Sequence, residues 1–574
     1  MTFVLSHILA DNHTFSPPAM GHSFSAAIRP PFVGGLCRSV PIDEYDESQH
    51  SRFVSVLAVL VCDSTRSISN RPLSPSVHSP SVHSSSIHIL DDDSLLNIFC
   101  LYRPALFDVD EDEAGYSLVS QGGEWVPERW WYKFTHVCRR WRYLVFASAS
   151  YLGLCLVCTY GTPVADMLAY SPSLPLIIDY VDQARRINAR DEGGIILALQ
   201  HCDRVRRIRL QIPIPVLHKV LLTIGDEFSM LEYMYIMPTE EHIMGLILPR
   251  TFQAPHLRHL ILMNFAIPIR SPLLTSAVGL VTLSLERIPP SSYFRPSDLL
   301  QRLSLMPQLE VLGISFRHPA PNREFETQLL DTPTMTHIAL PKLRWFGFCG
   351  ASAYLEVLLP QMTTPLLKKL DIIFSSQLTF YIPHLLQFIS TRENFQFRSA
   401  EFLFSPWALK MLVYPHRGAK MYTLGMEVLC TRLDWQVESA AQVFEALRTA
   451  FSAVEHITLR YGSDFTLLED WENAADRSQW RELLRSFGNV KSLRVLDNDL
   501  ATQVSYSLRP DDEESPLELL PELKKLEYSA SMNAGHAFAS FAYARRKAGH
   551  PVTLTLISPG NDRELYQAVS MWLA

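Results

Sequence analysis

Apolar residues follow three different patterns along this chain, and each predicts a different kind of structure. Up to about residue 86 there is no sustained period; the segment is rich in Ser, Pro and His, as in RPLSPSVHSPSVHSSSIH. Such a composition cannot bury enough apolar surface to offset the entropy of ordering, so residues 1–86 are predicted to be disordered. From Ile87 the pattern changes. IHILDDDSLLNIF carries a helix start at Asp91 to Ser94, followed by Leu95, Leu96, Ile98 and Phe99. An acidic, turn-like insertion over residues 104–128 interrupts it. Then, in WWYKFTHVCRRWRYLV, Phe134, Val137, Cys138, Trp141, Leu144 and Val145 recur at helical spacing. That stripe predicts one continuous helix, with Lys133, Arg139, Arg140 and Arg142 mainly off it. Residues 87–155 therefore read as a small helical module.

The third pattern runs from about residue 172 to 574. One apolar residue, two variable positions, a second apolar residue, one variable position and a third apolar residue recur as a unit. Copies include DRVRRIRL (Val205, Ile208, Leu210), SMLEYMYI (Leu231, Met234, Ile236), PHLRHLIL (Leu257, Leu260, Leu262) and VGLVTLSL (Leu280, Leu283, Leu285). PQLEVLGI, PKLRWFGF, PLLKKLDI, SAVEHITL, GNVKSLRV and PELKKLEY continue the series, with less clear copies near 400 and 424. The spacing is roughly 23 to 36 residues. The last part of each unit alternates as a short strand does, while its first apolar residue turns in from the preceding loop. One such strand cannot shield its apolar face; stacked units make a parallel sheet with a continuous core. Helical patterns lie between the copies, as in PVLHKVLLTI, SDLLQRLSLM, SAYLEVLLPQM, IPHLLQFIS, AAQVFEALRTAF and QWRELLRSF. Pro255, Pro307, Pro341, Pro365 and Pro521 precede the strand leucine, stopping the helix and pre-setting an extended start. An ordinary doubly wound α/β domain also alternates strands and helices, but seldom repeats one signature so often. The expected fold is an α/β solenoid: an irregular leucine-rich-repeat-like horseshoe with a parallel sheet and insertions.

Composition narrows the function classes. A net charge of −8 and a pI near 6.2, without a basic stripe, give no general attraction to nucleic acid or anionic lipid. The most apolar stretch, Phe53 to Cys62, is too short for the roughly 20 residues a membrane span needs. No signal-peptide pattern opens the chain. Nine cysteines without a regular framework fit a reducing compartment, cytoplasmic or nuclear. His78, His83 and His88 recur at a spacing that matches no ligand pair, and Ser74 and Ser79 beside prolines are phosphorylation candidates of a common kind. Cys155 and Cys158 form a C-x-x-C, but GLCLVC is apolar and no second pair stands at zinc spacing; buried structural cysteines are expected. Asp91, Asp92 and Asp93 read as a helix-start cluster rather than metal ligands. No phosphate loop, nucleophile elbow or H-E-x-x-H occurs. No catalytic residue, cofactor or metal is assigned.

With LDDDSLLNIF, WWYKFTHVCRRWRYLVFASASYLGLCL and the repeat region in view, the chain resembles F-box proteins with leucine-rich-type repeats, a group expanded in mushroom-forming fungi. The run Val137 to Arg142 is the most specific part of the match, and the strand PKLRWFGF is also similar. The chain departs from the family at Leu90-Asp91, where Leu-Pro is usual, and in its longer insertion. The resemblance implies a non-catalytic receptor subunit of a ubiquitin ligase. Its helices would bind a Skp-type adaptor, and through it a cullin scaffold, while the repeats hold a protein client. On that transfer Leu90, Leu95, Leu96, Ile98, Phe99, Val137, Cys138 and Trp141 match the apolar motif positions. Some would face the adaptor and others the module's own core. The alternative is a repeat scaffold that binds a protein without recruiting the adaptor.

Overall fold

The computed structural model describes residues 90–102, 130–171, 173–181, 185–225, 227–240, 245–317, 337–375, 377, 379–462, 475–509, 517–529 and 532–557. The tail over 1–86, with its histidines and serine-proline pairs, and the acidic insertion over 104–128 lie outside the described residues.

The repeated signature forms strands. β1 (Leu156–Cys158), β2 (Leu176–Tyr180), β3 (Val205–Ile212), β4 (Tyr233–Pro238), β5 (His259–Met263), β6 (Thr282–Ile288) and β7 (Val311–Phe316) come first. β8 (Ile338–Ala339), β9 (Trp345–Gly350), β10 (Met362–Thr363), β11 (Lys369–Phe374), β12 (Ser399–Phe404), β13 (Ala408–Tyr414) and β14 (Leu424–Leu429) follow. β15 (His456–Tyr461), β16 (Ser492–Val495), β17 (Lys525–Ser529) and β18 (Thr553–Ile557) complete the series. β8 and β10 pair with each other; the other strands make one open sheet in the order β1-β2-β3-β4-β5-β6-β7-β9-β11-β14-β13-β12-β15-β16-β17-β18. The architecture is α/β and mostly parallel, and the described strands follow an open order rather than closing into a barrel. Up to β11 the order advances one way, whereas a doubly wound sheet reverses at a switch point.

Register shows why the signature recurs. The second apolar position of each copy pairs with its counterpart next door, as Ile208–Met234–Leu260–Leu283–Leu312–Phe346–Leu370. The third does the same as Leu210–Ile236–Leu262–Leu285–Ile314–Phe348–Ile372. All of these side chains are buried, each contributing on the order of 1.5–3 kcal/mol through lost apolar hydration. Helices cover this face. Phe348 stacks on Tyr354 of the helix Ser352–Leu358, and Phe402 packs on Phe444 of Leu433–Ala446. Phe404 meets Trp480 of Arg477–Arg485, and Tyr528 meets Phe538 of Met532–Lys547. Many neighbouring helices touch one another along the row.

The prolines act differently from the expected helix stop. Leu257, Leu309, Leu343, Leu367 and Leu523 each donate a backbone N–H to the residue just before the proline: Ala254, Met306, Leu340, Thr364 and Leu520. Proline therefore occupies the second position of a tight turn, where its fixed φ is pre-set. The turn drops both its first residue and the signature leucine into the core.

Two expectations are corrected. The sheet begins at β1, ahead of residue 172, because GLCLVC is buried on both faces and leaves no alternation to read. And the sheet is not wholly parallel: β13 runs antiparallel to both β12 and β14. Only Ser405, Pro406 and Trp407 separate β12 from β13, far fewer residues than a parallel crossover requires. Ser405 closes the hairpin, its backbone N–H and Oγ both donating to the Ala408 carbonyl. This inserted meander is where the copies near 400 and 424 lose clarity.

Candidate interaction surfaces

The helical module is small and centred on aromatic rings. Its first helix, Asp92–Leu101, opens with Asp92 and Asp93, whose charge suits the positive end of the helix dipole. Leu95 and Phe99, one turn apart, are fully buried. Phe99 stacks on Phe134 with centroids 4.6 Å apart and meets Trp141 edge-on at 5.0 Å.

The single helix expected over WWYKFTHVCRRWRYLV is corrected to short pieces, Tyr132–Thr135, Arg139–Ala147 and Ala149–Leu152. The chain leaves helical geometry at Cys138 (φ −158°, ψ 170°), whose sulfur accepts the Trp141 N–H at 3.5 Å and caps the second piece. Thr135 and Val137, both β-branched, weaken the helix there. The Thr135 carbonyl freed by the break is satisfied by Arg142 Nε at 2.8 Å. Arg140 ties the module together through Asp92 at 2.7 Å; this exposed pair is worth at most about 1 kcal/mol.

The break redistributes the motif residues. Leu95, Phe99 and Trp141 (3% exposed) form the module's own core. Leu90, Leu96, Ile98 and Cys138 are half-buried. Val137 leaves the apolar stripe and is 49% exposed. Three further apolar or aromatic residues that the motif reading missed also face solvent: Leu101 (81%), Tyr143 (76%) and Tyr151 (61%). Gly153, at φ 64°, ends the last helix in a left-handed turn that glycine adopts without strain. Trp131 Nε1 then donates to the Cys155 carbonyl at 3.3 Å, fixing the module to the start of β1. Cys155 and Cys158 are both buried, Cys155 in a cluster with Val157 and Ile177.

The second surface is the sheet face away from the helices, built from the variable positions between the signature residues. Ion pairs and hydrogen bonds run across it. Arg209 pairs with Asp179 at 3.1 Å, His259 Nδ1 meets Thr282 Oγ1 at 3.1 Å, and Ser284 Oγ donates to Glu286 at 3.1 Å. Trp345 Nε1 donates to Asp371 Oδ2 at 2.6 Å, and Lys369 Nζ lies 3.3 Å from the same oxygen and over the Tyr422 ring. Tyr414 donates to Glu401 at 3.0 Å, and Arg460 pairs with the other oxygen of that carboxylate. A Cβ on Gly347 would collide with the Trp345 indole, and one on Gly425 with the Asp371 carboxylate. Those glycines are the floor on which the two side chains lie.

Electrostatics follow the crowding. Burial, with Arg258 and Arg207 adding to it, holds His259 neutral down to about 4. Burial pushes Asp179, Glu286, Glu427 and the Cys349 thiol upward and Lys369 downward. The sequence signal for this surface is the presence of Arg, Asp, Glu and Tyr inside strands. A parallel strand covered on both faces would be apolar there.

A third feature is a cleft of about 600 Å³ between the turn Leu359–Gln361 and the helix Pro383–Ser390. Arg392 in its wall is engaged by its own chain: it stacks on Phe388 at 3.4 Å and donates to Thr364 Oγ1 at 2.8 Å. Among the described residues no cluster of three or more His, Cys, Asp or Glu is placed to hold a metal ion. Nor, among them, is any helix long and apolar enough to cross a membrane. A scan against protein-family models finds no match, and a search of curated proteins finds none either.

Proposed function

We propose that this chain is an F-box-type substrate receptor, in which the helical module grips a Skp-type adaptor and the sheet presents a protein client. The observation that carries the reading is the module's unfinished surface. Val137, Leu101, Tyr143 and Tyr151 face solvent and Leu96 and Ile98 are half-buried, while Leu95, Phe99 and Trp141 are consumed internally. Four exposed apolar or aromatic side chains on so small a unit suit a surface that a partner covers. The registered ladders of the sheet support reading residues beyond the module as an irregular leucine-rich-type solenoid, with the hairpin β12–β13 as an insertion. A cullin bound through the adaptor would then bring the ubiquitin-loaded enzyme to the client. The receptor's contribution is effective concentration and orientation.

The test is co-purification of the full chain with a Skp-type adaptor. Trp141 is the wrong residue to change, since a charge there would dismantle the aromatic core. Val137→Glu with Tyr143→Glu places charges on the exposed surface and leaves that core intact. The expected outcome is an adaptor complex with the parent chain and at least a tenfold loss with the double variant, at unchanged melting temperature. No complex with the parent chain leaves the non-ligase scaffold as the better reading.

A further inference from the structure

We propose that the strand-entry end of the polar face, over β12, β15, β16 and β17, is a basic patch that receives an acidic segment of the client. This rests on the receptor reading for the existence of a client, and on the patch alone for its chemistry.

The chain as a whole carries a net charge of −8, yet here the fold gathers cations that the sequence spreads over more than a hundred residues. Backbone hydrogen bonds link Arg398, Glu455, Lys491 and Lys524 in turn, just ahead of the four strands. The next row holds Ser399, His456, Ser492 and Lys525, and the one after it Thr458, Arg494 and Glu527. Glu455 is shared by two cations, Arg398 at 3.1 Å and Lys491 at 2.9 Å. Glu527 is shared by Lys525 at 2.6 Å and Arg417 at 3.3 Å, with Arg494 beside it in register. Six cations, Arg398, Arg417, Lys491, Arg494, Lys524 and Lys525, thus stand with two acids, which leaves four positive charges in surplus. Other acids nearby act on other cations: Glu401 and Asp497 on Arg460, and Glu522 on Arg545 at the helix side. His456 senses both groups. Burial, with Arg417 and Lys491 adding to it, lowers its pKa although Glu455 and Glu527 oppose the shift.

Arg417 reaches the patch because of the inserted meander. β13 runs antiparallel, so it finishes at the strand-entry end, where Tyr414 pairs with Ser399, the first residue of β12. The loop over residues 415–423 then carries Arg417 past β12, β15 and β16 to Glu527 in β17. Surplus positive charge held this closely is relieved by carboxylates brought from outside, and a basic segment would only add to it. Glu455 and Glu527 hold their cations in place, so less side-chain freedom is lost on binding. Size sets the ligand's form. Three strand-to-strand steps separate β12 from β17, which is about 14 Å at roughly 4.8 Å per step. An extended run of about four or five residues spans it. A nucleic acid, with a phosphate at every step, needs a longer track that acids do not interrupt.

The probe is a fluorescent peptide of about ten residues with a central run of about five Asp and Glu, titrated into the full chain. Its Asn/Gln counterpart, its Lys counterpart and an oligothymidylate of similar length are the comparisons. The acidic peptide should bind most tightly, and its affinity should fall as salt is raised. Arg417→Gln with Lys491→Gln removes two charges whose side chains are about half exposed. This pair should weaken acidic binding at least tenfold at unchanged melting temperature. Carbodiimide should join the bound peptide's carboxylates to the amines of Lys491, Lys524 or Lys525 as amides, the reagent taking up the water as its urea. Mapped by mass spectrometry, that readout needs no variant. Equal or tighter binding of any comparison probe, unchanged binding by the double variant, or cross-links only at other lysines overturns the proposal. Adaptor capture decides the receptor reading separately: acidic binding without an adaptor leaves the patch standing and removes only the ligase role, and the reverse result removes only the patch.

Discussion

His259 shows how one position on the polar face is governed by its neighbours. It stands among Arg258 and Arg207, with Glu232 the opposing charge, and burial holds it neutral down to about 4 against an ordinary value near 6.5. The unfolded chain takes up a proton as pH falls through about 6.5, and the folded chain resists until about 4. Stability from this residue is therefore full above about 6.5 and falls as pH drops toward 4. His259→Gln removes the titration. Its melting temperature should decline less than the parent's between pH 7.5 and 4.5; parallel curves would contradict the assignment. The same crowding explains Trp345. Its ring fits only because position 347 lacks a side chain, a dependence that no local sequence pattern announces.

At the scale of elements, the break at Cys138 is the most informative departure. The spacing of Phe134, Val137, Cys138 and Trp141 satisfies a helix, yet the chain folds as two pieces. Burying Phe134 and Trp141 against Phe99 while Arg142 recovers the Thr135 carbonyl outweighs helical continuity. This has a direct test. Sulfur is a weak acceptor, and serine is a favoured residue at the start of a helix. Cys138→Ser should stabilise the chain by about 0.5 kcal/mol in urea unfolding. Were Cys138 inside a continuous helix, serine would be neutral or destabilising there. The strands were far more legible than this junction. Each signature copy fell in a strand because period-2 burial leaves its mark on every copy, while the parallel pairing follows from intervening helices long enough for a crossover. The hairpin β12–β13 was readable in principle from its three-residue connection.

For the whole sheet, protection from solvent should follow neighbour number. β9 and β11 are paired on both sides, whereas β18 pairs only with β17 among the described strands and keeps Leu556 exposed. Hydrogen exchange should be slowest in β7, β9 and β11 and faster in β18. Uniform exchange along the sheet would mean that it opens as one cooperative unit instead of fraying from its edge.

The sequence by itself determined the α/β class, the strands that carry the repeated signature and the apolar positions they bury. These follow from local periodicity and from the need of each apolar stripe to find cover. Tertiary structure alone decided which motif residues remain outside, where the predicted helix breaks, and which acids on the polar face find cations. The reason is physical: pairing and exposure depend on residues brought together from distant strands, and a single chain position carries no record of what will stand opposite it.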